Sequence, residues 1–411
     1  MRTLLVHLQE LALNRKGAFK IGPFGSSLKK TELVGSGIPV AGIENVLPNR
    51  FVKQFRRFIT PKKFDQLSDY EILPDDVLVT TMGTIGRAAV APLGLGRTIF
   101  DSHLFRMRFD TSRVSPAYAC YALNSDLVAQ QLTTLARGSI MEGLNTTILR
   151  ECSIPLPSLS EQQRIVARLQ QADWLCQTCG YTLDLSDRIL PAAFLEIFGS
   201  PSVAAKNFPS SELGEVTDFI DYRGIAPNKT TSGVRLVTAR NIKRGYFEIE
   251  PQEFIPAEEY SSWMTRGMPR PGDVLFTTEG HTLGSVAKLP SFNKVALAQR
   301  LIALQPKGQI TSDYLLYAIL HPSFQDRVVK HSTGSAARGI SSKNLADLPI
   351  PLPPLSLQQK FAGLVRRVEH LRSLQQESLR QAEHLFQTLL HNAFVGKPIQ
   401  SDHAHAADPL G

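Results

Sequence analysis

Two long stretches of the chain carry apolar residues spaced alternately by three and four. The later one runs Leu357, Phe361, Leu364, Val368, Leu371, then polar Gln375 and Ser378, then Ala382, Leu385 and Leu389. The earlier one runs Ile165, Leu169, Ala172, Cys176, Cys179, Leu183, Ser186, Leu190, Ala193 and Ile197. This is the seam of a coiled coil, held for about five heptads, and it predicts two helices on the order of 55 Å long. Such helices are weakly packed alone, so each is the natural partner of the other. The apolar anchors predicted to hold the seam are Ile165, Leu169, Leu183, Leu190, Phe361, Leu364, Val368, Leu371, Leu385 and Leu389. Ser160 with Gln163, and Ser356 with Gln359, fit a capping box at each start, and the prolines just upstream oppose an earlier start. Gly180 and Pro191 interrupt the first helix, which predicts a kink or short break near Pro191.

Ahead of each helix the pattern changes to short strands and turns. Ile38-Pro39-Val40 and Val234 to Val237 are brief β-branched runs, each followed within a few residues by an asparagine, Asn45 or Asn241. Asp76 to Thr81 and Asp273 to Thr278 are stronger strands, each behind a proline turn. Residues 116–135 and 312–330 turn helical, with Tyr118, Tyr121, Ala122, Leu127 and Leu132 partly matched by Tyr314, Leu315, Ala318, Phe324 and Val328. Mixed α/β domains follow from this alternation.

The two halves also share their words. Ile154-Pro155-Leu156-Pro157 with Gln162-Gln163 returns as Ile350-Pro351-Leu352-Pro353 with Gln358-Gln359. Pro74 to Thr81 answers Pro271 to Thr278, the Gly83 to Gly86 turn answers Gly280 to Gly284, and Gly138-Ser139 answers Gly334-Ser335. A period this long is no solenoid. It predicts two similar domains, residues 1–157 and 200–354, followed by helices over 158–199 and 355–396. The last residues, 397–411, have little to pack and are expected to be disordered.

Composition narrows the class. The 411 residues carry a net charge of +8, unevenly placed. Residues 1–157 hold 19 Lys and Arg against 13 Asp and Glu, and residues 200–354 hold 17 against 14, whereas 158–199 is acidic. Excess base on the repeated domains and none on that connector suits a pair of polyanion-binding modules. There is no apolar run of about 18 residues to span a membrane, and Arg2 and His7 break the start too soon for a signal peptide. Four cysteines in so long a chain point to a reducing cytoplasm. Cys176 and Cys179 fall on the helix seam with no second ligand pair, so they are read as packing, and no metal site is expected. No phosphate-binding glycine loop or nucleophile elbow appears, and the neighbouring acids Asp75-Asp76 and Glu258-Glu259 read as solvated turns. The chain reads as a binder with no catalytic residues and no cofactor of its own.

For reading DNA the useful side chains are Arg and Lys for guanine and phosphate, and Asn and Gln for adenine. The first domain offers Lys29, Lys30, Asn45, Arg56, Arg57, Thr84 and Arg87. The second offers Arg223, Arg240, Asn241, Lys243, Arg244, His281, Ser335 and Arg338. Recurrence at matching places supports the set more than any single member.

At this point the chain resembles the specificity (S) subunit of type I restriction–modification systems. The resemblance runs from about Phe19 to Phe394 and rests on Ile21-Gly22-Pro23-Phe24-Gly25-Ser26-Ser27-Leu28, the Thr81 to Gly86 turn, the two Ile-Pro-Leu-Pro phrases with their Gln-Gln pairs, and Ala393-Phe394-Val395-Gly396. It implies an α/β, mixed α+β fold: two tandem target recognition domains in a pseudo-two-fold repeat, separated by two long antiparallel coiled-coil helices. It further implies that each domain reads one half of a split, asymmetric double-stranded DNA target, and that the helices serve as ruler and as dock for two methyltransferase (M) subunits. S-adenosylmethionine would then belong to the M subunits, and ATP with Mg and DNA cleavage to two restriction (R) subunits. The alternatives are a separate specificity subunit of a type II enzyme, a protein-interaction scaffold without DNA, and a fused methyltransferase. The last is opposed by the absence of an Asn/Asp-Pro-Pro-aromatic motif.

Overall fold

The computed structural model describes residues 4–135, 146–222, 226–334 and 338–395. The chain forms two compact units. One comprises the residues up to Gly180 together with those from Glu377; the other comprises Tyr181–Gln376. Arg223, Ser335, the Gly138-Ser139 echo and the tail from 397 lie outside the described residues.

Both units are built on one plan. In the first, a four-stranded antiparallel sheet has the order Phe19–Ile21, Leu104–Met107, Val77–Thr80, Ala88–Val90. Its counterpart has the order Thr217–Asp221, Leu301–Pro306, Val274–Thr277, Val286–Lys288. Val77–Thr80 and Val274–Thr277 are buried along their whole length, as their unbroken β-branched and apolar runs require. A second, three-stranded sheet places Ile38–Ala41 between Phe58–Ile59, antiparallel, and Ile99–Phe100, parallel. In the other unit Val234–Val237 sits likewise between Glu253–Ile255 and Val295–Leu297. The helical stretches are each divided in two, into Pro116–Leu123 and Asp126–Leu135, and into Ser312–Leu320 and Pro322–Lys330. Pro322 at the first helical position accounts for the second division.

The repeated proline phrases have a structural purpose. Ser153–Pro155 pairs antiparallel with Leu5–His7, and Pro349–Pro351 with Ser210–Glu212, closing each unit. Ile154 and Ile350 are fully buried, and the hydroxyls of Tyr118 and Tyr314 donate to the Pro155 and Pro351 carbonyls at 2.8 and 2.7 Å. Gln162 is buried; its Oε1 accepts the Ser115 N–H at 2.8 Å and its Nε2 donates to the Arg113 and Pro157 carbonyls. Gln358 does the same with the Thr311 N–H and the Gln309 and Pro353 carbonyls.

The long helices span Leu159–Phe198 and Leu355–Phe394, 40 residues each. They begin two residues earlier than the capping boxes predict. Ser158, rather than Ser160, accepts the Glu161 N–H, and Pro354 precedes the second helix. The first helix also runs unbroken through Pro191. That residue is exposed, so the carbonyl it leaves without a donor faces water, while Leu190, Phe194 and Phe198 bury the opposite side.

Within the first unit Leu169 joins the core that contains Leu390 and Phe394, and the Phe394 ring lies 5.2 Å from Tyr118. Within the second, Phe194 and Phe198 pack on Phe361 and on Tyr314. In both units the two segments therefore run antiparallel. The seam differs from the expected one at Leu371 and Leu385, which are exposed, and at Val365 and Leu390, which are buried outside the expected repeat; Ala382 is buried where the repeat places it. Leu169, Leu190, Phe361 and Val368 are buried as anchors, and Ile165, Leu183, Leu364 and Leu389 are half-buried. A straight helix drifts by about 20° per heptad against a strict seven-residue repeat, which carries leucines off the contact line.

Candidate nucleic-acid interface

Parallel pairing brings two strand ends to the same edge in each unit. In the first, Ile38–Ala41 runs into residues 42–45 and Ile99–Phe100 into 101–103, joined by the Asp101 N–H to the Ala41 carbonyl at 3.0 Å. The Thr81 N–H donates to the His103 carbonyl at 2.9 Å, adding the 81–86 turn to this edge. In the second, the Ala298 N–H meets the Val237 carbonyl and the Thr278 N–H meets the Arg300 carbonyl, so residues 238–241, 278–284 and 298–300 gather in the same way.

Asn45 and Asn241 sit at these edges but do not face outward, contrary to expectation for base readers. Asn45 is fully buried: its Oδ1 accepts the Gly42 N–H at 3.0 Å and its Nδ2 donates to the Val52 and Gln54 carbonyls. Asn241 takes the Thr238 N–H and gives to the Glu248 and Pro251 carbonyls. Every polar atom of both amides is engaged, so neither has a group left for a base. They clamp the loop that follows the strand. Asp76 and Asp273 recur for a similar reason. They accept the Leu73 and Arg270 N–H groups, and burial first of all raises both carboxyl pKa values above the ordinary range.

The other candidates divide. Lys29 and Lys30 are exposed and line a cleft of 380 Å³ with Arg57, Asp101 and His103. Arg57 is not free: it pairs with Asp101 at 2.6 Å and Glu44 at 3.1 Å. Arg56 is exposed, and Thr84 lies exposed in a turn that Gly83 and Gly86 allow with φ of 70° and 85°. Arg87 points elsewhere, into a groove of 620 Å³ lined by Asn49, Leu132 and Phe386.

In the second unit Arg240, His281 and Arg338 are exposed around one edge. The Gly280 N–H donates to the Arg338 carbonyl, and Arg300 pairs with Glu279 at 2.9 Å. Lys243 and Arg244 belong to a tight turn whose Gly245 N–H bonds the Val286 carbonyl, away from the strand ends that carry Arg240. Sequence reasoning missed Glu44, Asp101, His103, Glu253 and Arg300. Laying one repeat on the other would have found two of them, because Glu44 and Arg57 stand where Arg240 and Glu253 stand, with the signs exchanged.

The match to the type I restriction modification DNA specificity domain covers residues 19–178 and 209–384, one copy per unit. The chain belongs to this family. The specificity subunit is 21% identical over 357 residues to the type I restriction enzyme MjaVIII specificity subunit of Methanocaldococcus jannaschii, covering 82% of each chain. It is 22% identical over 310 residues to the EcoKI specificity subunit of Escherichia coli, covering 68% of this chain and 65% of that one. Its fold matches the type I S subunit from M. genitalium with a TM-score of 0.56, 15% identity and 96% of each chain covered. A chain from a study of complex assembly and conformational transition of a type I R-M system matches with a TM-score of 0.58 and 20% identity, covering 96% of this chain and 98% of that one. Two such domains recognise DNA targets in this family, and its subunits are not the catalytic ones. Among the described residues of the specificity subunit no helix is long and apolar enough to cross a membrane, and no group of three or more His, Cys, Asp or Glu is placed to hold a metal.

Proposed function

We propose that the subunit reads a bipartite, asymmetric sequence in double-stranded DNA, one half-site per unit, in the cytoplasm. The observation that carries this is the same pair of sheets in both units ending in edges with different side chains. Lys29, Lys30 and His103 stand at one edge, and Arg240, His281, Arg300 and Arg338 at the other. A shared frame fits a shared manner of approach to the duplex, and differing edges fit different bases.

The long helices are the dock for two methyltransferase subunits and, through them, two restriction subunits. S-adenosylmethionine belongs to the former, and ATP with Mg to the latter. Exposed apolar side chains on the helices, among them Trp174, Tyr181, Leu374 and Leu385, support a partner surface there. Sequencing methylated sites in DNA from cells that express this chain with its methyltransferase tests the reading. A two-part motif with unlike halves is expected. Methylation without a motif, or with one undivided motif, would overturn it.

A further inference from the structure

The residue immediately before each clamping asparagine is Glu44 in the first unit and Arg240 in the second. Across the antiparallel strand stand Arg57 and Glu253, at equivalent positions of the register. The same ion pair is thus built twice with opposite polarity. The backbone adapts to this. A Cβ on Gly42 would fall 1.8 Å from Arg57 Nη2, so glycine makes room for the guanidinium, whereas the equivalent Thr238 stands before the shorter Glu253.

In both pairs the inner member has a closer partner elsewhere. Arg57 is 2.6 Å from Asp101, which is 8% exposed, and Glu253 is 2.6 Å from Lys229. The outer members make the longer contacts, Glu44 at 3.1 Å and Arg240 at 3.5 Å, and Arg240 is 72% exposed. Glu44 is 32% exposed, and neither outer member is needed to neutralise its partner, because Asp101 and Lys229 already do so. Both are held by the clamp one residue on, at the edge where the strands end. A carboxylate on a basic surface that approaches phosphates is repelled unless it meets a base edge that donates. Glutamate can only accept, which suits the cytosine amino group, whereas arginine can only donate, which suits guanine O6 and N7.

We infer that Glu44 and Arg240 are specificity-determining residues, Glu44 accepting from a base amino group in one half-site and Arg240 donating to guanine in the other. This rests on the DNA-reading function proposed above. The test is enrichment of sites from a random-sequence duplex library by the full chain and by its variants. Glu44→Ala should relax one base pair of one half-site by on the order of tenfold, and Arg240→Ala one base pair of the other half-site. Glu44→Gln keeps the shape and the bond to Arg57, and should shift preference at that pair from cytosine towards adenine. Motifs identical to wild type in Glu44→Gln and Arg240→Ala overturn the inference and leave the DNA-reading function standing. If the wild-type chain enriches no motif at all, that function fails and the inference with it.

Discussion

Ser186 donates its hydroxyl to Gln375 Oε1 at 2.8 Å, so the polar interruptions of the two helix seams meet each other inside the second unit. Ser186 is buried, and Gln375 also reaches the Thr182 carbonyl. The salt bridge between Arg372 and Asp187 lies one turn along. A polar pair in an apolar seam is well suited to fixing register: a slip would part Gln375 from Ser186, which keeps only the Thr182 carbonyl of its own helix at 3.0 Å. Ser186→Ala alone should destabilise the unit by about 1 kcal/mol. The double variant Ser186→Ala with Gln375→Leu should recover that loss or exceed it. Denaturant unfolding of the two singles and the double measures the coupling.

Gln162 and Gln358 tie each recognition unit to the helix that leaves it. Glutamate in either place would turn a donor into an acceptor facing two carbonyls. Gln358→Glu should cost about 3 kcal/mol in unfolding experiments. Gln359→Glu, on an exposed neighbour, should cost almost nothing.

Asn241 and Lys243 should behave differently in DNA binding. Asn241→Ala releases the loop clamp that holds Arg240, so it should lower stability by about 2 kcal/mol and blunt choice at the base pair that Arg240 reads. Lys243→Ala, in a turn away from the strand ends that carry Arg240, should leave stability, affinity and the dependence of affinity on salt unchanged, whereas loss of a phosphate contact would flatten that dependence. Unfolding curves and titrations at two salt concentrations separate the two roles.

His321 caps the helix Pro322–Lys330 by accepting the Ser323 N–H at Nδ1, which requires a neutral ring. Burial first, and Arg327 second, lower its pKa below the ordinary value. The unfolded chain therefore takes up the proton first as pH falls. The stability that His321 contributes is complete above about 6.5 and is lost as pH drops through the lower folded value. His321→Asn should keep the cap and remove that part of the acid sensitivity. Melting curves between pH 7.5 and about 5 would show it as a flatter profile.

If the helices set the distance between half-sites, deleting four residues from matching places in both, about 6 Å each, should shorten the unspecified gap and leave the half-sites unchanged. Methylated-site sequencing reads this directly. An unchanged gap would mean that something other than helix length sets it.

The long helices, the doubled mixed α/β units and the strands at Val77–Thr80 and Val274–Thr277 were legible because each rests on apolar periodicity, which burial enforces. The candidate edge was legible only in part. Asn45 and Asn241 looked like base readers because an amide that clamps a loop and an amide that pairs with adenine need the same donor and acceptor. Glu44 and Glu253 were passed over because acids on a basic domain read as solvent-facing charge until the fold brings them to Arg57 and Arg240 as ion pairs. The Pro191 break failed for a different reason. Proline removes one intrahelical bond, but the aromatic contacts of Phe194 and Phe198 hold the helix across it.

The core of the first unit includes Leu390 and Phe394, at the far end of the second long helix. A ribosome that has finished residue 180 must make all of Tyr181–Gln376 before those residues emerge, about 10–40 s later at ordinary elongation rates. Through that interval Tyr118 waits without the ring that covers it, while the second unit receives Phe361, Val365 and Val368 and closes. The domain that is translated first is the last to be completed.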